Sequence, residues 1–297
     1  MVMRRILVTG AGGQVGSALL AALPAQGFEA LPAGRPALDF DRPASIEALL
    51  AAMAPEAVVN CAAWTAVDAA EENEPAAFRA NALGPALLAR GCAARGIPLV
   101  QLSTDYVFDG TKGAPYAEAD PPNPLGAYGR TKLAGEWAAL AGNPRSIVLR
   151  TSWIYAPAGT NFLRTMLRLA AERRDLSVVA DQIGAPTAAA DLAEAIAAIL
   201  ARIRAEGWRP AHGGVFHATA AGHTSWHGFA EAIFAAARAH GGPSPRIRAI
   251  ATGEYPARAR RPADGRLDCA RLAAVFGVRL PPWQEGLARV MRALHAA

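Results

Sequence analysis

Short apolar runs with little alternation punctuate the first half of the chain, at Ile6–Val8, Glu29–Leu31, Ala57–Asn60, Leu99–Leu102 and Ile147–Leu149. Runs of this kind suit strands covered on both faces, where neither face calls for a polar alternate. Between them lie stretches with apolar residues at helical spacing, Val15–Leu23, Ser45–Met53, Glu74–Ala94 and Ala127–Ala141. Strand and helix in alternation is what a parallel sheet with crossover helices requires, so the fold class expected is α/β with a doubly wound parallel sheet. After about Trp153 the pattern changes to longer helical stretches, Phe162–Arg173, Ala189–Ala205, Trp226–Ala239 and Gln284–Leu294, joined by Pro- and Gly-rich connections. Two units are predicted: residues 1–153 as the sheet domain and 154–297 as a smaller, mainly helical lobe. Val215–Ala218 reads as a strand returning to the first sheet, so part of 188–220 is assigned back to the first domain. No repeat and no Gly/Ser-rich linker separates independent modules.

Composition narrows the classes. The 297 residues are 52% hydrophobic and 19% charged, which excludes disordered and fibrous chains and provides a large core. A net charge of +5 invites an anionic partner. The basic residues are spread out, however, and the densest group, Arg258, Arg260, Arg261 and Arg266, sits among prolines without aromatic interleaving, so no nucleic acid is expected. Lys112 and Lys132 are the only lysines among 30 basic residues, so each needs a reason. Cys61, Cys92 and Cys269 match neither a disulfide framework nor zinc spacing and suit a reducing compartment. The N-terminal stretch lacks a signal-peptide apolar region, and no run reaches the ~18 apolar residues of a membrane span, so the expectation is a cytoplasmic chain without membrane contact.

The first strand runs directly into Thr9-Gly10-Ala11-Gly12-Gly13-Gln14-Val15-Gly16, and a helical pattern follows at once. Gly10, Gly13 and Gly16 allow the sharp turn, bring backbone N–H groups against a pyrophosphate and seat the helix on the strand. In that strand–turn–helix context the glycines read as the dinucleotide cradle of a Rossmann-type fold rather than as a purely steric turn. An NAD-preferring fold places an acid at the end of the second strand, ~20 residues past the loop. Leu31-Pro32-Ala33-Gly34-Arg35 carries none, and Arg35 suits a 2′-phosphate. NADPH is the cofactor expected, with NADH as the alternative if Arg35 is simply a surface arginine.

Tyr128-Gly129-Arg130-Thr131-Lys132 opens a predicted helix, with tyrosine and lysine four apart on one face. A phenol, ordinarily near pKa ~10, exchanges protons poorly at neutral pH, and a nearby ammonium lowers it. Lys132 is expected to supply that charge and to hold the nicotinamide ribose. A second polar cluster, Ser103-Thr104-Asp105-Tyr106-Val107-Phe108-Asp109-Gly110, follows the strand ending at Leu102. Ligands of open α/β sheets lie beyond the carboxyl ends of strands, which puts the Thr104 hydroxyl beside a substrate carbonyl while Tyr128 supplies the proton. Asp105 reads equally as a ligand contact or as a cap for its own loop.

Taken together, TGxxGxxG, S-T-D-Y-V-F-D-G and Y-x-x-x-K resemble the extended short-chain dehydrogenase/reductase family. Asn60-Cys61-Ala62-Ala63-Trp64-Thr65-Ala66-Val67-Asp68, Arg150-Thr151-Ser152-Trp153-Ile154-Tyr155 and Asp181-Gln182-Ile183-Gly184-Ala185-Pro186-Thr187 narrow the likeness to its dTDP-4-dehydrorhamnose reductase family. It extends over nearly the whole chain, to Tyr255-Pro256 and Arg261-Pro262. The resemblance implies that Thr104, Tyr128 and Lys132 form the catalytic set. Thr104, Asp105, Trp153, Gln182 and Arg261 would face a dTDP-sugar. Gly10, Gly13, Gln14 and Val15 would line the pyrophosphate, and Asp39, Phe40, Ala62, Ala63 and Thr65 the adenosine and ribose. The reaction implied is NADPH-dependent reduction of the C4 ketone of dTDP-4-dehydro-L-rhamnose by a monomer or homodimer. Some members bind magnesium between subunits through glutamates; the two positions that align are Ala18 and Ala293, which cannot ligate a hard cation, so no metal is expected.

Two other functions share the scaffold. A sugar-nucleotide epimerase or dehydratase is the nearer, but dehydratases place an acid after the Thr-Asp pair, where this chain has Tyr106. A non-catalytic subunit resembling the regulatory subunit of methionine adenosyltransferase would need no proton donor, yet Thr104, Tyr128 and Lys132 are all retained.

Overall fold

The computed structural model describes residues 4–35 and 37–296; residues 1–3, 36 and 297, which include both ends of the expected domains, lie outside the described residues. Six strands form one wholly parallel sheet: β1 (Arg5–Thr9), β2 (Glu29–Ala33), β3 (Ala57–Asn60), β4 (Leu99–Thr104), β5 (Ser146–Thr151) and β6 (Gly214–His217). Their order across the sheet is β6-β5-β4-β3-β1-β2. The chain therefore winds outward from β1 in one direction to β2 and in the other to β3, and the strand order reverses between β1 and β3. At such a switch point the connections leave to opposite faces and open a crevice above the carboxyl ends. β3 and β5 are buried at every position, as the non-alternating apolar runs predict.

Helices α1 (Gln14–Ala22), α2 (Pro43–Met53), α3 (Gly84–Ala94) and α4 (Ala127–Gly142) cross between these strands. Leu7, Leu50, Val58, Leu88, Leu99 and Ala139 fill the face shared by the sheet with α2, α3 and α4. On the other face Ile6, Val8, Leu19, Val59, Ile147 and Phe216 pack with Leu192, Ile196 and Leu200. Those last three belong to a helix that lies beyond Trp153 in sequence, so the second half of the chain also contributes to the first domain's core.

The second half begins with α5 (Phe162–Glu172) and continues with α6 (Ala189–Glu206), α7 (Trp226–Arg238) and α8 (Trp283–His295). α6 carries the residues just named on the sheet, while Leu163, Met166, Phe229, Ile233, Leu287 and Met291 form a separate core for the lobe. The lobe also contains a parallel strand pair, Asp175–Val179 with Arg246–Ile250, which the mainly helical expectation omitted. Asp-Leu-Ser-Val-Val and Arg-Ile-Arg-Ala-Ile alternate polar and apolar residues, the half-buried strand signal, but each is too short to stand out between long helices.

The expected helix Glu74–Ala94 is broken into Glu74–Phe78, a π-helical turn at Arg79–Leu83, and α3, and a further short helix, Val67–Glu72, precedes it. Pro75 and Pro85 each occupy the first turn of a segment, where a missing N–H is tolerated. The widened turn brings Asn81 inward: its Nδ2 donates to Trp64 O at 3.1 Å and to Thr131 Oγ1 at 3.1 Å, and Trp64 N donates to its Oδ1 at 2.8 Å. Asn81 thereby ties the loop after β3 to α4.

Candidate active site

A cavity of about 970 Å³ lies over the carboxyl ends of β1, β3 and β4 and runs from the glycine loop to Trp226 of the second lobe. Below it, three buried polar side chains join the strands. Thr9 Oγ1 donates to Asn60 Oδ1, Asn60 Nδ2 donates to Gln101 Oε1 at 2.7 Å, and Gln101 Nε2 donates to Leu102 O at 2.8 Å. Each polar group so satisfied can be buried without the cost of an unpaired one, and the strand ends are held in register.

At one end the wall is main chain. Gly10 has φ +62, and a Cβ there would lie 2.7 Å from Ala62 N; a Cβ on Gly16 would lie 2.3 Å from Gly10 O. Only glycine fits either position. No side chain caps the N-terminus of α1, where Gly13 is the N-cap, so the first-turn N–H groups are available to an anion. Gly10, Gly13, Gln14, Val15, Ala62, Ala63 and Thr65 all line the cavity here. Gln14 also reaches the second lobe, accepting from Asn161 Nδ2 at 2.8 Å.

Beyond them stand Arg35, Asp39, Phe40 and Arg79. The backbone N–H of Asp41 and the Arg42 guanidinium hold the Asp39 carboxyl below the usual carboxylate range. Arg79 Nε pairs with Asp41 Oδ1 at 2.9 Å. Phe40 also packs: a Cβ on Gly84 would lie 2.6 Å from its ring, so the aromatic seals the cavity against α3.

Thr104, Asp105, Tyr128 and Lys132 all border the same cavity. Thr104 ends β4; Tyr128 and Lys132 come from the first turns of α4, which β4 and Asn81 hold in place. Thr104 Oγ1 donates to Asp105 Oδ1 at 3.0 Å and accepts from Tyr106 N at 3.2 Å. Lys132 is buried, and its Nζ donates to Leu102 O at 2.6 Å. Burial lowers its ammonium to about 8, against the opposing pull of Glu136. Glu136 is itself held by Ser103 Oγ at 2.5 Å and by both Nε and Nη2 of the buried Arg150, at 2.9 and 2.7 Å.

The expectation that Lys132 acidifies Tyr128 needs correction. Burial pushes the Tyr128 phenol up to about 12; the Asp105 charge adds to this, the Thr104 hydroxyl opposes it, and Lys132 is not among the groups that move it. The lysine commits one of its three N–H donors to the Leu102 carbonyl. A phenol raised in this way stays protonated at neutral pH, which suits a proton donor and not a base. Asp105 is raised by burial to about 7, and its Oδ2 is buried without a partner. A cost of that kind calls for a ligand hydrogen bond at the site.

The remaining sequence candidates separate. Trp153 lines the cavity, but Gln182 and Arg261 do not. Gln182 is buried behind it, accepting from Trp226 Nε1 at 3.2 Å. Arg261 is taken up by Asp68, with Nη2 2.8 Å from Oδ2. Both lie one layer out. The lining also includes Arg79, Tyr106 and Trp226, which sequence reasoning did not assign to the site. Tyr106 was legible inside its motif, whereas Arg79 and Trp226 sit in helical stretches with nothing local to mark them. Among the described residues, no group of three or more His, Cys, Asp or Glu side chains is arranged to hold a metal ion.

Comparison with known proteins agrees over the full length. The family profile described as "RmlD substrate binding domain" matches residues 3–296. A Burkholderia thailandensis protein named dTDP-4-dehydrorhamnose reductase is 46% identical, covering 98% of this chain and 99% of its own. One of the same name from Sinorhizobium fredii is 42% identical, covering 98% and 97%. The crystal structure of the Bacillus anthracis dTDP-4-dehydrorhamnose reductase in complex with NADP superposes with a TM-score of 0.89 at 33% identity, covering 99% of this chain and all (100%) of that one.

Proposed function

Because the chain belongs to the dTDP-4-dehydrorhamnose reductase family, we propose that it uses NADPH to reduce the C4 ketone of dTDP-4-dehydro-L-rhamnose to dTDP-L-rhamnose. The observation that carries this reading is the meeting, in one cavity, of a backbone anion cradle with Thr104, Asp105, Tyr128 and Lys132. The cradle fits a dinucleotide: the two glycines that a Cβ would disrupt face the α1 N-terminus, and Arg35 stands at the far end for a 2′-phosphate. The nucleotide, when bound, supplies the hydride for the carbonyl carbon.

The protein's own residues handle the oxygen. As negative charge builds there, Tyr128 transfers its proton, downhill because an alkoxide is more basic than a phenolate. The Thr104 hydroxyl, already aligned by Tyr106 N–H, turns from Asp105 to donate to the same oxygen. Lys132, anchored on Leu102 O, supplies fixed positive charge beside the cofactor's ribose. Asp105, which borders the cavity, offers its carboxyl to a sugar hydroxyl. All of these residues come from one chain, so a monomer or a homodimer can operate. The three cysteines are free, which suits the reducing cytoplasm.

A dehydratase on this scaffold would need a carboxylic acid after the Thr-Asp pair, where this chain has Tyr106, a phenol that burial raises still further above the range of a carboxyl; an epimerase is separated by whether the cofactor is consumed or recycled. Purified protein mixed with NADPH and the 4-keto sugar nucleotide should oxidise the cofactor and form the 4-hydroxy sugar; no oxidation at any substrate concentration overturns the proposal.

A further inference from the structure

Trp153 has φ +48, in the left-handed region that a bulky residue adopts only when its surroundings enforce it. The enforcement is visible on both faces of its ring. On one side Gly184 leaves just enough room, since a Cβ there would lie 2.5 Å from Trp153 Cε2. On the other, Trp226 stacks with ring centroids 3.5 Å apart and planes 7° from parallel.

Trp226 is in turn held from behind. Its Nε1 donates to Gln182 Oε1 at 3.2 Å, Gln182 Nε2 donates to Thr252 Oγ1 at 3.1 Å, and Thr252 Oγ1 donates to Asp181 Oδ1 at 2.6 Å. Phe162 packs against it at a tilt of 43°, with a centroid distance of 4.6 Å. As the first residue of α7, Trp226 also sits where Ser225 Oγ caps the helix by accepting from Gly228 N. Both indoles border the cavity, whereas Gln182 does not.

We propose that Trp226 is a positioning residue for the nucleotide-sugar half of the site: by covering one face of Trp153 while Gly184 covers the other, it fixes the plane of that indole, whose edge borders the sugar's part of the cavity. This rests on the sugar-nucleotide reading given above. Gln182, expected to touch the substrate, instead acts through Trp226 by fixing the in-plane rotation of its ring.

The test compares wild type with Trp226→Leu, Trp226→Phe and Gln182→Leu, reading three quantities: the exciton couplet of the stacked indoles in far-ultraviolet circular dichroism, the KM and kcat for the 4-keto sugar nucleotide, and the NADPH dissociation constant. Trp226→Leu should lose the couplet and raise KM about fivefold or more, with kcat changed much less. Trp226→Phe should lose the couplet and recover most of the KM; Gln182→Leu should shift KM in the same direction by less. Unchanged NADPH affinity certifies the folded sheet domain in each variant. If Trp226→Leu fails that check, Trp226→Phe and Gln182→Leu decide, and a KM equal to wild type in both overturns the proposal. The same holds if Trp226→Leu folds, loses the couplet and keeps its KM. A wild-type chain that binds NADPH but leaves the 4-keto sugar untouched overturns the functional reading, and this inference with it.

Discussion

At the end of the cavity proposed for the dinucleotide the wall includes two nearby loops, residues 10–16 and 61–65; at the end proposed for the sugar it is formed by residues 104–106, 128, 153 and 226. The first is built by local conformation: glycines that accept φ > 0 or a close backbone contact, followed by an uncapped helix start. The second is built by tertiary packing, in which each group depends on a neighbour remote in sequence, as Trp153 does on Gly184 and Trp226. The difference teaches that affinity for the cofactor and handling of the sugar should be separable by mutation.

The largest separation is expected for Tyr128→Phe. Removing the proton donor should lower turnover by roughly 10³-fold while NADPH raises the melting temperature as much as in wild type; a parallel loss of NADPH binding would show that the two ends are one unit. Gly16→Ala probes the opposite end. Its Cβ would be driven to 2.3 Å from Gly10 O, so NADPH affinity measured by titration should weaken by roughly 10²-fold, with dTDP binding retained. Arg35→Ala should act at the same end but only on the choice of cofactor, cutting the preference for NADPH over NADH by about tenfold. Equal losses for both nucleotides would remove Arg35 from 2′-phosphate recognition.

The smallest effect concerns stability. Asp105 has a folded-state pKa of about 7 against an ordinary 3.8, so between those values the folded chain holds a proton that the unfolded chain releases. That contribution falls as pH rises through the window. His217, pushed down to about 3 by burial and by Arg150, works in the opposite sense, which makes the variant-minus-wild-type difference the useful quantity. Asp105→Asn should be the more stable protein at pH 8, by roughly 2–4 °C in melting temperature, with the advantage vanishing near pH 4. A variant less stable at pH 8 would mean that the charged carboxylate is well solvated.

The same contrast governs what could be read from the chain. The five strands of the first half, the glycine turn and the Tyr128–Lys132 spacing are contiguous signals, and each lies where its period or motif places it. The strand pair Asp175–Val179 and Arg246–Ile250 was hidden because its partners are far apart in sequence and each is short. The π turn at Arg79–Leu83 interrupts a stretch whose apolar spacing reads as continuous helix. Motif order located Tyr128 and Lys132 but not their chemistry. Proximity in sequence suggested that lysine acidifies tyrosine, yet burial is the largest influence on both groups, raising the phenol and lowering the ammonium. Gln182 and Arg261 belonged to recognisable motifs, but only packing reveals that they lie behind Trp226 and beside Asp68.

Net reduction with Tyr128 as the acid is tested most directly by the stoichiometry of a single reaction: the chain, limiting 4-keto sugar nucleotide and excess NADPH, with cofactor oxidation followed by absorbance and the sugar product quantified. One NADPH consumed per 4-hydroxy sugar formed is the predicted result. Conversion of the sugar at constant absorbance, which would mean that the cofactor is recycled, would contradict it.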